Sequence, residues 1–195
     1  MRLSRLVAAG SLVTGLAVVL ALVLVGSGPG GDGRSLSKAN FSMERARAFD
    51  EFPLYSAGER VDGLPLTAVL RRDDTADYVS FVYGDCVAGD DAGCTPPAEI
   101  QVWPSCRRSL AVYDEEPEGS PSPERVVTRG VPGAFFDRGT RLEFETGRST
   151  VVLFADSRLR LLRIAAALRA VDGSVPAGVP LPPPAPDAIG VPMDC

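Results

Sequence analysis

The sequence predicts an α+β domain, in which a mostly antiparallel β-sheet is covered by a C-terminal helix and preceded by a single N-terminal transmembrane helix. Three observations favour this architecture. An uncharged apolar run fills residues 6–25, and short apolar runs separated by Gly, Pro and Asp fill much of residues 64–155. A stretch with helical periodicity then follows at about residues 157–170. Strands followed by one late helix are typical of α+β domains.

Composition excludes several classes of function. The 195-residue chain has 20 Lys and Arg against 25 Asp and Glu, a net charge of −5. An acidic domain repels phosphate backbones, so nucleic-acid binding is not expected. The chain contains no histidine, which excludes Ser-His-Asp and Cys-His catalysis within it. Lys38 is the only lysine, and with abundant Ala, Gly, Pro and Val this indicates a GC-rich bacterial genome.

The N-terminal apolar run predicts a membrane anchor. Residues 6–25 would span about 30 Å as a helix, the thickness of a hydrocarbon core. Arg2 and Arg5 precede the run, which predicts that residues 1–5 are cytoplasmic and that the remainder lies outside. The alternative is a signal peptide, cleaved at the small-residue site at residues 25–27 so that the protein is secreted. The run is longer than the apolar region of a typical signal peptide, which favours the anchor.

The anchor is followed by a flexible linker at residues 26–39, GSGPGGDGRSLSKA, and by an extracytoplasmic α+β domain at residues 40–171. Ser42 is expected to cap a short helix. The helix should end before Pro53, because a residue preceding proline is disfavoured in the helical conformation. A short strand is predicted at residues 54–55.

Period-2 alternation and doubly apolar runs predict the strands of the sheet. Residues 64–70 are expected to bury Leu64, Leu66, Ala68 and Leu70 on one face. Residues 78–83 and 150–155 are apolar on both faces, so Phe81 and Val152 are expected to be deeply buried. Further strands are predicted at residues 100–103, 125–128, 134–136 and 141–145, with a hairpin turn at Thr146 and Gly147.

The last helix is expected to begin after a cap at Asp156 or Ser157 and to continue to about residue 170. Its predicted buried stripe consists of Leu159, Leu162, Ala165, Ala166 and Leu168. Residues 172–195 form a Pro-rich, extended tail that we expect to be tied back by a disulfide.

The four cysteines predict two disulfides, because an even number outside the membrane normally pairs. Four cysteines allow three pairings. Cys86 and Cys94 flank a short Gly/Asp loop that brings them together, which leaves Cys106 to pair with Cys195 and hold the tail. A redox-active pair is the alternative, but the sequence has no C-x-x-C motif.

Five segments of the domain carry a resemblance to known sequences: FPLYSAGE (52–59), GLPLT (63–67), VYGDC (82–86), GCTPPAEIQV (93–102) and STVVLFAD (149–156), the last followed by an Ala/Leu-rich helix. Together they resemble a group of actinobacterial exported or membrane-anchored proteins that has no assigned activity. The resemblance covers roughly residues 40–170. It implies an extracytoplasmic location and the extent of the domain, and it implies no catalytic residues.

The candidate sites for chemistry are weak. Asp85, Asp90 and Asp91 lie beside or within the Cys86–Cys94 loop and are oxygen ligands of the type that calcium prefers, but their spacing matches no EF-hand. Glu143 and Glu145 lie on one strand face as a potential catalytic carboxylate pair. The exposed face of an amphipathic strand explains them better. We therefore expect no catalytic residues, no cofactor and no metal.

Aromatic residues on or near strands offer a second kind of site. Tyr55, Tyr83, Trp103 and Tyr113 are candidates to line a binding groove, although packing is the usual role of such residues. With the anchor and linker, these observations favour a non-catalytic binding or interaction module of the cell envelope. Its partners would be the membrane, through residues 6–25, and an envelope protein. The alternatives are an envelope enzyme that uses carboxylates and an accessory subunit of an envelope complex.

Overall fold

A computed structural model describes residues 41–73, 76–86, 94–110 and 122–186. Within these ranges, no helix has the length and apolar character needed to cross a membrane. The predicted cytoplasmic residues 1–5, the anchor at 6–25 and the linker at 26–39 lie outside the described residues.

The domain is built on an eight-stranded antiparallel sheet, preceded by the two-residue strand β1 (Tyr55–Ser56). Its first meander consists of β2 (Arg60–Val61), β3 (Leu64–Arg72), β4 (Tyr78–Tyr83) and β5 (Ala98–Pro104). Its second meander consists of β6 (Glu124–Thr128), β7 (Val131–Phe136), β8 (Arg141–Thr146) and β9 (Ser149–Ala155). The last strands of the two meanders, β5 and β9, pair at the centre. The predicted mostly antiparallel sheet is thus confirmed.

The predicted helix near the C-terminus is α2 (Arg158–Ala167), and the Ser157 hydroxyl caps it by accepting from the Arg160 N–H at 3.4 Å. It packs on β8, β9 and β2. The predicted stripe is wrong in part, because Leu159 and Leu162 are 63% and 44% exposed and Ala166 is exposed as well. Leu161 and Ile164, three residues apart, are fully buried instead. This helix has leucines on more than one side, so periodicity alone does not identify the buried stripe.

The helix also ends before the predicted residue 170. Leu168 adopts an extended conformation, with ψ of 142°. The next two residues form strand β10 (Arg169–Ala170), which pairs antiparallel with β1. The backbone hydrogen bonds of residues 169–170 therefore go to β1 instead of continuing the helix.

The predicted buried face of β3 is also wrong in part. A register shift lies between Leu66 and Ala68, where the Thr67 hydroxyl donates to the Val82 carbonyl at 3.2 Å. A bulge of this kind moves the following side chains to the other face. Val69 therefore enters the core beneath α2, whereas Leu70 is half-buried on the opposite face.

The core lies between α2 and the sheet. Phe81 is fully buried there, and Val152 is fully buried on the other face, so both predictions are confirmed. The short helix α1 (Met43–Arg47) begins at Ser42, as predicted, but ends well before Pro53. Phe49 forms edge-to-face contacts instead, at 6.1 Å from Phe41 and 4.8 Å from Phe52.

The Pro-rich tail is held by hydrogen bonds within the described residues. The Leu181 N–H donates to the Arg129 carbonyl at 2.9 Å. Farther along, the Thr146 hydroxyl donates to the Pro182 carbonyl at 2.8 Å, and the Gly147 N–H donates to the Pro183 carbonyl at 3.1 Å. These hydrogen bonds fix the described part of the tail against the β6–β7 and β8–β9 turns. They do not involve Cys195, which lies outside the described residues.

Candidate functional site

Glu143 and Glu145 lie on β8, on the sheet face opposite α2. Both are buried, with exposed fractions of 0% and 3%, so the expectation of a solvent-facing strand surface is wrong. The reason is the segment that leaves β5, because Arg108 and Leu110 of this segment cover the two glutamates. Leu110 also packs on Ala134 of β7, which fixes the segment against this face.

Both glutamates are engaged by fixed donors. The Arg108 guanidinium donates two hydrogen bonds to Glu143, of 3.0 and 2.6 Å. The Ser109 hydroxyl and the Leu110 N–H donate to Glu145 Oε1 at 2.9 and 2.8 Å. Buried carboxylates with this many partners are typical of structural ion-pair networks. A carboxylate pair for catalysis would instead need access to a substrate.

The polar network continues onto β5. The Ser80 hydroxyl and the Gln101 amide both donate to Glu99 Oε1, at 2.6 and 2.9 Å. The Trp103 indole N–H donates to Gln101 at 3.2 Å, and its ring stacks on Tyr78 with the ring centroids 4.4 Å apart. The polar side chains on this face of the sheet therefore hydrogen-bond to one another, and these contacts hold Trp103 in place.

The candidate aromatic residues do not come together. Tyr55 and Tyr83 are buried in the core beneath α2, whereas Trp103 lies on the opposite face of the sheet. The Tyr83 hydroxyl accepts from the Ala57 N–H at 2.9 Å and donates to the Gly58 carbonyl at 3.0 Å, and burial raises the pKa of Tyr83 to about 12. Tyr113 lies outside the described residues. The structure thus assigns packing roles to Tyr55 and Tyr83.

The structure describes part of the cysteine loop. Cys86 and Cys94 are joined in a disulfide, with their Cα atoms 5.9 Å apart. Cys106 is also disulfide-bonded, but its predicted partner Cys195 lies outside the described residues, and that pairing stays a prediction. Asp85 is exposed, whereas residues 90 and 91 are not described. The described part of the chain contains no group of three potential metal ligands.

A cavity of about 780 Å³ lies where β7 turns into β8, and we name it the arginine cavity. It is lined by residues 122–124 before and at the start of β6, residues 135–139, Arg141 and Arg158. Phe135 and Phe136 are consecutive strand residues and point to opposite faces of the sheet. The cavity therefore reaches around the end of the sheet, with Arg158 over the Phe135 ring at 4.1 Å and Arg141 over the Phe136 ring at 4.7 Å.

Three arginines and two carboxylates line the arginine cavity, and the buried carboxylate of Glu143 lies 3.3 Å from Arg141 Nε behind it. Arg158 donates two 2.6 Å hydrogen bonds to Glu124, which hold the pKa of that carboxyl below its ordinary value. Arg141 Nε lies 3.2 Å from an Asp137 carboxylate oxygen. Arg138 is exposed and forms no ion pair with a described residue. One positive charge therefore remains without a carboxylate partner.

The turn that carries Arg138 has an unusual backbone. Asp137–Gly139 form a single 3-10 turn in which φ is 50° for Asp137, 58° for Arg138 and 87° for Gly139. Glycine tolerates a positive φ, but each of the two other residues carries a cost of about 1–2 kcal/mol. Sequence reasoning did not identify this turn as a site. Its only sequence signal is an Asp-Arg-Gly triplet between two apolar strand runs.

Comparison with protein-family models, with curated proteins and with solved structures finds no match to this chain.

Proposed function

We propose that this chain is a membrane-anchored extracytoplasmic binding module of the cell envelope and that it is not catalytic. The observation that carries the proposal is the contrast between two charged sites. The buried pair Glu143 and Glu145 is taken up by internal hydrogen bonds, whereas the arginine cavity retains a cationic side chain that lines an open space. A buried, fully hydrogen-bonded carboxylate pair is typical of a structural role, whereas an open cavity with a cationic side chain is typical of a ligand-binding site.

The location rests on two features. Residues 6–25 follow Arg2 and Arg5 and have the length of a membrane span. The Cys86–Cys94 disulfide supports an oxidising compartment, because such bonds are rare in the cytosol. Membership of the actinobacterial envelope group is part of the same proposal.

The location is tested by topology and by the mature N-terminus. A reporter that is active only outside the membrane, fused after Cys195, should be active, and mass spectrometry should find a mature chain that begins at or near Met1. A mature chain that begins near residue 28 would mean that the protein is secreted and has no anchor.

The binding role is tested by crosslinking on intact membranes, followed by capture of the full-length chain. We expect an envelope protein to be captured in defined amounts, and capture should persist when Glu143 is replaced by Gln in protein that remains folded. A set of subunits in fixed stoichiometry would favour the accessory-subunit alternative. A carboxylate enzyme is disfavoured by the burial of Glu143 and Glu145, and turnover that E143Q abolishes in folded protein would contradict the proposal.

A further inference from the structure

We propose that the arginine cavity binds a small organic oxyanion, a metabolite-sized molecule that carries phosphate or carboxylate groups. The inference deepens the proposed function and rests on it, since it names the class of ligand that the binding module takes. It is carried by the convergence of Arg138, Arg141 and Arg158 on one cavity at the end of the sheet.

Two of these arginines have unused hydrogen-bond donors. Among the described residues, neither Arg138 nor Arg141 donates a hydrogen bond. Arg141 Nε is buried at 3.2 Å from Asp137 and 3.3 Å from Glu143, without a hydrogen bond to either, so a ligand would bind Arg141 through the other nitrogens of a side chain that is 22% exposed. A guanidinium has five N–H donors in a planar fork, which matches the oxygen atoms of a carboxylate or a phosphate.

The carboxylates in the cavity do not neutralise the positive charge that would attract an anion. Glu124 is held by both hydrogen bonds of Arg158. Asp137 is 59% exposed and pairs with Arg141 through a single contact. Arg138 therefore presents its charge to the cavity without a carboxylate partner, and an anion can bind it without displacing an ion pair.

The backbone of the turn supports a role for Arg138. Asp137 and Arg138 are held at positive φ, a conformation that side chains other than that of glycine rarely adopt. Strain of this kind concentrates at ligand sites, and here it sets the direction in which the Arg138 side chain leaves the backbone. The size of the cavity also indicates the size of the ligand, because about 780 Å³ is typical of sites for organic molecules and exceeds the volume of a single inorganic ion.

The test uses the full-length chain in detergent and two probes, pyrophosphate and citrate, measured by titration calorimetry. Arg138→Gly removes the guanidinium and also relieves the positive φ, so loss of binding cannot be attributed to a less stable fold. Arg148 provides a matched control, because it is an exposed arginine in the β8–β9 turn and lies outside the cavity. Arg138→Glu and Arg148→Glu change the net charge of the protein equally.

We expect at least one probe to bind, and R138G to weaken its binding about tenfold, the effect of one charge-assisted contact. R138E should abolish binding, whereas R148G and R148E should change the affinity less than about twofold. Binding of pyrophosphate alone would identify phosphate groups as the ligand chemistry, and binding of citrate alone would identify carboxylates.

Two results would overturn the proposal. One is that neither probe binds more tightly than about 1 mM. The other is that the Arg138 and Arg148 variants weaken binding equally, which would indicate attraction to net charge only. Phosphorus NMR on the pyrophosphate samples separates this proposal from the broader one. Hydrolysis of pyrophosphate would contradict the proposal that the protein is not catalytic, but it would still support an anion site in the arginine cavity. If neither probe binds while the envelope protein is still crosslinked to the chain on membranes, only the anion site is refuted.

Discussion

Arg129 is expected to be the main polar attachment between the sheet and the segment after α2. It lies in the β6–β7 turn, and its guanidinium donates to carbonyl groups at the C-terminal end of α2 and in the tail. The bond to Leu168 is 2.6 Å and the bond to Ala165 is 3.4 Å. In the tail, Nε donates to Val179 at 2.7 Å and a terminal nitrogen donates to Pro176 at 3.0 Å. Burial lowers the pKa of Arg129, which indicates that these carbonyls replace part of its hydration.

The expected cost of Arg129→Ala is about 2–3 kcal/mol. A buried hydrogen bond to a charged group contributes about 1.5–3 kcal/mol. The contacts to the Val179 and Pro176 carbonyls are exposed to solvent, so each of them contributes less than the contacts to the helix. A cation at the C-terminal end of a helix adds about 0.3–1 kcal/mol, which the same substitution removes.

The backbone of Arg129 allows this cost to be separated from strain. Arg129 has φ of 49° in a two-residue turn with Gly130. Alanine keeps that strain, whereas glycine relieves about 1 kcal/mol of it. We therefore expect Arg129→Gly to be about 1 kcal/mol more stable than Arg129→Ala, although both lose the same contacts.

The assay is urea unfolding of the full-length chain in detergent, followed by circular dichroism, together with hydrogen exchange. Arg148→Ala is the control, because Arg148 also lies in a two-residue hairpin turn but is exposed. In R129A, the Gly178 and Leu181 amides should exchange faster, because they hydrogen-bond to Ala166 and to Arg129 itself. Equal stability of R129A and R148A, with unchanged exchange in the tail, would refute the attachment.

Three further predictions concern the core, the acid range and the buried ion pair. Phe81→Ala should cost about 3–5 kcal/mol in urea unfolding, whereas Val127→Ala, at a side chain that is 77% exposed, should cost under about 0.5 kcal/mol; similar values would mean that the core is misplaced. Hydrogen bonds from Arg163 and Arg160 of α2 lower the pKa of Asp62 to about 2. The ionised carboxylate therefore stabilises the fold above about pH 4, and this stabilisation is lost as the pH falls towards 2. Asp62→Asn should remove this part of the acid dependence of the unfolding midpoint, and Asp73→Asn, at an exposed carboxyl, should leave it unchanged. Glu143→Ala should cost about 3–5 kcal/mol, because it removes the buried carboxylate that accepts both hydrogen bonds of the partly buried Arg108 guanidinium; a loss below about 1 kcal/mol would show that the pair is not buried in solution.

The elements that the sequence predicts well are those set by local patterns. Ser42 and Ser157 cap helices because a hydroxyl at that position accepts from a free backbone N–H. The predicted hairpin is confirmed, but its turn lies one residue later: Thr146 ends β8 and pairs with Ser149, and the turn consists of Gly147, with φ of 56°, and Arg148. Phe81 is buried as expected because its strand is apolar on both faces. Each of these inferences depends only on residues that are close in the chain.

The features that the sequence does not reveal depend on residues that are distant in the chain. A solvent-facing glutamate and a glutamate beneath an arginine-bearing segment both appear as a polar position in a period-2 pattern. The burial of Glu143 is therefore visible only when Arg108, 35 residues away, is placed over it. The arginine cavity likewise depends on residues that are distant in the chain. Arg158 reaches Glu124 and the turn that carries Arg138 because α2 packs beside β8, and no spacing within the chain encodes that contact.

The charge of the chain and the charge of the arginine cavity lead to different conclusions about ligands. The net charge of −5 acts over long distances and is screened beyond about 8 Å at physiological ionic strength. A nucleic acid is an extended polyanion that would meet the acidic surface over a large area, so the net charge disfavours it. The proposed small oxyanion would contact the cavity alone, where guanidinium groups supply hydrogen-bond donors. An acidic composition that disfavours nucleic acid is therefore compatible with the proposed site for small anions at the end of the sheet.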